Sequence, residues 1–144
     1  MKLTGQQKFE ALKLRYKDQV ELLRFMTKLD FQIFGGYTTL QLALGSWLSQ
    51  HTIAVPLAKV GILLVDLALA LIAGILLYND FRRRKEVVST IKNINAALGY
   101  SEPNVYLEGK VLNAETAFRP WAHFYILGVI VCFLGIILLI FKAV

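Results

Sequence analysis

The chain has 144 residues, a formal net charge of +6 and 56% hydrophobic residues. That is the length of one domain, but the mean hydropathy of +0.54 is too high for an ordinary soluble one and points to an integral membrane protein. A single cysteine, Cys132, excludes a disulfide framework within one chain, and the basic residues flank apolar segments instead of forming one nucleic-acid patch.

The opening segment, MKLTGQQKFEALKLRYKDQVELLR, is charged and amphipathic, unlike the short apolar core of a signal peptide, so insertion is expected to use the later spans. Thr4 to Gln7, TGQQ, has the form of a capping box, in which a hydroxyl and an amide three residues apart each satisfy a backbone group of the other. From there Phe9, Leu12, Tyr16, Val20, Leu23 and Met26 recur at steps of three and four, one face of a helix. No proline follows until Pro56, so this cytoplasmic helix, residues 1–30, is expected to continue into the first span.

Three apolar stretches, 31–49, 55–78 and 121–141, are each long enough to cross a hydrocarbon core of about 30 Å as a helix. The first is the most polar, carrying Gln32, Thr38, Thr39, Gln41 and Ser46. One line along it, Gln32, Gly36, Thr39, Ala43, Ser46 and Gln50, is small or weakly polar throughout, at steps of four and three. It wants a partner, and a neighbouring subunit, the third span or a water-filled lumen would each serve.

The second span contains LVDLALALIAGILL, residues 64–77, with Asp66 in the middle of the apolar run. An ionisable group at such depth costs roughly 2.5 to 3.5 kcal/mol on insertion scales and marks a candidate site. In a hairpin that turns near residue 53 or 54, partner numbers sum to about 107 by antiparallel counting, which places Asp66 opposite Gln41. Asp66 also shares a line with Ala70 and Gly74, small enough for close helix approach. A structural polar contact, with Asp66 protonated, and an ion or proton role both remain open for it. Lys59, two turns away, is expected to snorkel toward the outer surface.

Beyond Tyr78, Phe81, Val87, Val88, Ile91, Ile94 and Leu98 keep helical spacing up to Gly99, a C-cap candidate. By the same counting Phe9 faces Leu98, Tyr16 faces Ile91, Val20 faces Val87 and Met26 faces Phe81, so residues 79–98 are expected to pair with the first helix as a cytoplasmic antiparallel hairpin of coiled-coil type. The alternative is a first helix lying flat at the bilayer interface. Arg82, Arg83, Arg84 and Lys85 directly follow the second span, as a topogenic stop that also meets anionic lipid headgroups.

Residues 99–120 form a connector with one short helix expected after Asn113. Arg119, Pro120 and Trp121 mark the start of the third span, where Trp121 and Tyr125 suit an aromatic belt and His123 reads as interfacial, not as a ligand. Gly128, Cys132 and Gly135 give this span a small face for packing. Seven basic residues lie in 1–30 and seven in 79–120, against none in the turn near 50–55. The N-terminus and the 79–120 segment are therefore expected in the cytoplasm, and the C-terminus outside.

The expected fold is all-α, an integral membrane protein of three transmembrane helices with the first two extended into a cytoplasmic hairpin. No HExxH, CxxC, acid cluster, phosphate loop or nucleophile motif is present, so neither a metal, a cofactor nor an enzymatic activity is expected.

The layout of YKDQVELLRF leading into a polar first span, then basic residues after the second, then IKNINAALGY, resembles small bacterial membrane proteins of the RipA type, which are octameric. It also resembles SLATT-like membrane effectors of bacterial defence systems, whose outline has two spans, not three. The resemblance covers roughly residues 10–100 and transfers no ligand or catalytic residue. It implies a homo-oligomer in the bacterial inner membrane whose hairpins form subunit contacts, with a pore as one version of it. An accessory subunit bound to another membrane protein is the runner-up, and a holin-like lytic protein comes third.

Overall fold

A computed structural model describes residues 4–111 and 121–141, without the side chains of Trp121 and Ala122. The described residues form three helices, α1 (Gly5–Gln50), α2 (Pro56–Ala97) and α3 (Trp121–Ile140), joined by turns and one isolated bridge between Leu107 and Lys110. The short helix expected after Asn113, and the expected markers Arg119 and Pro120, lie outside the described residues.

Local chemistry sets the helix ends. At the start of α1, the Thr4 amide donates to Gln7 Oε1 at 3.0 Å and the Gln7 amide donates to Thr4 Oγ1 at 3.4 Å, a complete capping box. The helix then runs 46 residues without a break, so the charged segment and the more apolar stretch 31–49 are one element. Residues 51–55 make the turn, and Pro56 opens α2, where its missing N–H and fixed φ cost nothing.

α2 ends in a Schellman motif. Gly99 takes φ +75°, its amide donates to the Ala96 carbonyl at 3.0 Å, and the Tyr100 amide reaches the Asn95 carbonyl at 2.9 Å. The connector then folds back on this end: Tyr106 Oη donates to the Leu98 carbonyl at 2.8 Å, and its ring meets that of Tyr100 edge-on at 5.2 Å.

The chain divides into two compact units, one from the described residues within Met1–Thr27 and Arg82–Arg119, the other from those within Lys28–Phe81 and Pro120–Val144. The first unit buries Met26, Val87, Ile94 and Leu98, together with two polar side chains, Gln19 and Asn95. The start of α1 and the end of α2 thus share a compact unit, as a helical hairpin requires.

The buried line of α1 nevertheless differs from the expected apolar one. Phe9 is exposed and Gln19, not Val20, is buried. Buried α1 residues occur at 19, 26, 30, 37, 41 and 48, alternating steps of seven and four. An 11-residue repeat of this kind, 3.67 residues per turn, drifts around a helix of 3.6 residues per turn in the opposite hand to a strict heptad.

The second unit holds the apolar packing of α1, α2 and α3. Tyr37, Ala73, Leu77 and Val129 form one cluster, and Leu48, Ile136 and Ile140 form another with Ile62 and Leu63 against it. Low numbers on α1 therefore meet high numbers on α2, the antiparallel order expected. Two helices, α2 and α3, are long and apolar enough to cross a membrane. The 31–49 part of α1 falls short because Gln32, Thr38, Thr39, Gln41 and Ser46 dilute its apolar residues.

Candidate functional site

Asp66 is 1% exposed and Gln41 5% exposed, and Gln41 Nε2 donates to Asp66 Oδ1. The depth match from antiparallel counting is thus a direct hydrogen bond across two helices. The remaining oxygens of the pair, Gln41 Oε1 and Asp66 Oδ2, are buried without a hydrogen-bond partner. Burying such acceptors unsatisfied costs roughly 1–3 kcal/mol each, so they call for an explanation.

The walls of this site come from all three helices. Tyr37, one turn before Gln41 on α1, is buried and its hydroxyl donates to the Val129 carbonyl of α3 at 3.4 Å. Cys132 of α3 is half-buried against the same cluster. Thr38 Oγ1 is another buried oxygen without a partner, whereas Thr39 next to it satisfies its hydroxyl on the Gly35 carbonyl at 2.8 Å. Lys59 makes no ion pair with Asp66; Gln41 fills that place.

The small residues singled out on α2 and α3 have divergent fates. Ala70 packs against the first cluster, whereas Gly74 is half-buried and a Cβ there would meet nothing within 4 Å. Ala73 and Leu77 take the inward positions instead. Gly74 and Ala70 line a groove of about 440 Å³ between α2 and α3, walled by apolar side chains such as Leu67, Ile126 and Phe133. On α3, Gly128 lies under the ring of Phe34, where a Cβ would approach Cε2 to 2.7 Å, while Gly135 meets nothing within 4 Å.

All six residues of the small and polar α1 line, Gln32, Gly36, Thr39, Ala43, Ser46 and Gln50, are exposed. Arg82, Arg83 and Lys85 are exposed and Arg84 is half-buried. His123 packs against Phe81 with ring centroids 5.5 Å apart, and His51 stacks on Trp47 at 5.3 Å. Among the described residues no three His, Cys, Asp or Glu side chains gather as metal ligands.

Four buried polar residues escape a sequence reading: Gln19, Asp30, Asp80 and Asn95. Each lies in or beside a charged stretch, where a polar side chain looks like surface. A spacing signal exists, because Gln19, Asp30 and Gln41 are 11 residues apart on α1, about 16.5 Å per step at 1.5 Å per residue. Extending the antiparallel count from the Gln41 and Asp66 pair brings Asp30 close to the depth of Asp80, and both belong to the second unit. Asp80 Oδ2, like Asp66 Oδ2, has no hydrogen-bond partner.

Compared with known protein families, with characterised proteins and with solved structures, the chain finds no match.

Proposed function

We propose that the chain is the subunit of a homo-oligomeric membrane assembly, with the second unit in the bilayer as three spans and the first unit on the cytoplasmic side. The reading starts from the apolar exterior. α2 presents Leu64, Val65, Leu71, Ile72 and Ile75 outward, each more than half exposed, and contiguous apolar surface of this extent belongs in lipid or against protein. α1 shares the depth of α2 and α3 because Gln41 bonds Asp66, Tyr37 bonds Val129, and Gly45 lies 3.5 Å, as Cβ, from Ile136.

The exposed α1 line carries the proposal. A helix at that depth turns Gln32, Ser46 and Gln50 away from its own chain, and lipid tails cannot hydrogen-bond them. A second copy of the same line supplies both close approach at Gly36 and Ala43 and polar partners, which is how helices associate in membranes. Copies arranged in a ring with this line inward would enclose a polar pore. Basic residues at 1–30 and 79–120 favour the N-in orientation, and the RipA-type resemblance is the ground for a bacterial inner membrane.

A second reading, an accessory subunit of a larger membrane complex, has its own support in the apolar groove between α2 and α3, which offers a seat to a foreign helix. The native mass of the purified protein in mild detergent separates them. The homo-oligomer gives an integral multiple of 16.2 kDa; a monomer, or a chain that co-purifies in fixed ratio with other proteins, overturns it.

A further inference from the structure

We propose that Asp66 and Gln41 form a proton-binding site in the core of the second unit, in which Asp66 carries a hydrogen on Oδ2 and donates it to Gln41 Oε1. The inference starts from an imbalance in hydrogen-bonding capacity. A carboxamide brings a donor edge and an acceptor edge, and an ionised carboxylate brings only acceptors. One bond, Gln41 Nε2 to Asp66 Oδ1, uses the donor edge, and leaves two acceptors, Gln41 Oε1 and Asp66 Oδ2, buried and unpartnered. One proton, taken up from water, turns Asp66 Oδ2 into a donor and satisfies both oxygens at once. Acid and amide then meet through two hydrogen bonds and carry no net charge.

Among the described residues no cation forms an ion pair with Asp66. Tyr37 on α1 interacts electrostatically with Asp66 and with Cys132 on α3, and neither Tyr37 nor Cys132 is positively charged at neutral pH. On α2, Lys59 lies seven residues away and Asp80 fourteen; on α1, Asp30 lies eleven away. The first is about 10 Å along the axis and the others further. This site rests on the bilayer placement proposed above, which removes water as an alternative donor.

Asp66→Asn is the natural probe, because its side-chain amide reproduces both hydrogen bonds permanently. The folded state of the wild type binds a proton that the unfolded chain releases near neutral pH, so stability falls as pH rises. The expected result, in detergent-solubilised protein, is a folded-to-unfolded ratio that loses about tenfold more per pH unit in the wild type than in D66N. At neutral pH the infrared spectrum of the wild type, with aspartate carboxyls labelled with ¹³C, shows a protonated-acid C=O band that Gln41→Met shifts and D66N removes. Absence of any protonated aspartate band at neutral pH overturns the site without reference to a variant, as does a band insensitive to Gln41. Mass measured on the same samples keeps the two readings apart: an intact assembly without the band ends the proton site alone, and a monomer with the band ends the homo-oligomer alone.

Discussion

A single side chain, Gln41, decides whether Asp66 is tolerable at its depth. Replacing Gln41 by Leu leaves the carboxyl with no bond from α1, and by the range measured for polar contacts within membranes the loss is about 1–2 kcal/mol. Thermal unfolding of Q41L in detergent checks this. Tyr37→Phe is milder, since the bond from Tyr37 Oη to the Val129 carbonyl is long at 3.4 Å and the ring stays in place. A loss of about 0.5–1 kcal/mol is expected by the same measurement. At this scale the sequence speaks unevenly. Asp66 and Gln41 are legible because each is polar in an apolar run and their numbers match in an antiparallel hairpin. Asp30 and Asp80 are not, because next to Lys28 and Arg82 an aspartate has an equally good life in water.

Helices α1 and α2 owe their ends to a few residues, and these ends can be read directly from the sequence: the Thr4 and Gln7 box and the Gly99 stop depend only on neighbouring atoms. Gly99→Ala forces a Cβ into the left-handed region and to 3.3 Å from Val105. The expected cost is about 1–2 kcal/mol, with faster amide hydrogen exchange around residues 96–100. Which face a helix buries is harder to read, because the turn angle per residue depends on what it packs against; an exposed Phe9 and a buried Gln19 follow from that. α3 tests packing most sharply. Gly128→Leu drives side-chain atoms into Phe34, itself held against Tyr125 at 5.1 Å between centroids, so a loss of about 1–3 kcal/mol is expected. Gly135→Ala, with nothing within 4 Å of its Cβ, should raise the thermal midpoint slightly, since alanine is more stable than glycine inside a helix by about 0.5–1 kcal/mol.

Over the whole molecule, the apolar runs make two helices, α2 and α3, long and apolar enough to cross a membrane, and the basic residues are the ground for the orientation proposed. Hydropathy is a poorer guide for the Lys28–Gln50 part of α1, since its polar side chains serve two directions: Gln41 turns inward to Asp66, while Thr39, Ser46 and Gln50 turn outward. No property of one chain in isolation says what meets that outward line, which is why association is the part least legible in the sequence. The most direct test is disulfide cross-linking in isolated membranes, with Cys132 replaced by Ala and single cysteines at Ser46 or at Ile72, an exposed apolar position on α2. If copies meet along α1, Ser46→Cys yields covalent dimers on oxidation and Ile72→Cys does not. Equal yields at both positions, or no dimer at Ser46 from protein that is also monomeric in detergent, would contradict the assembly.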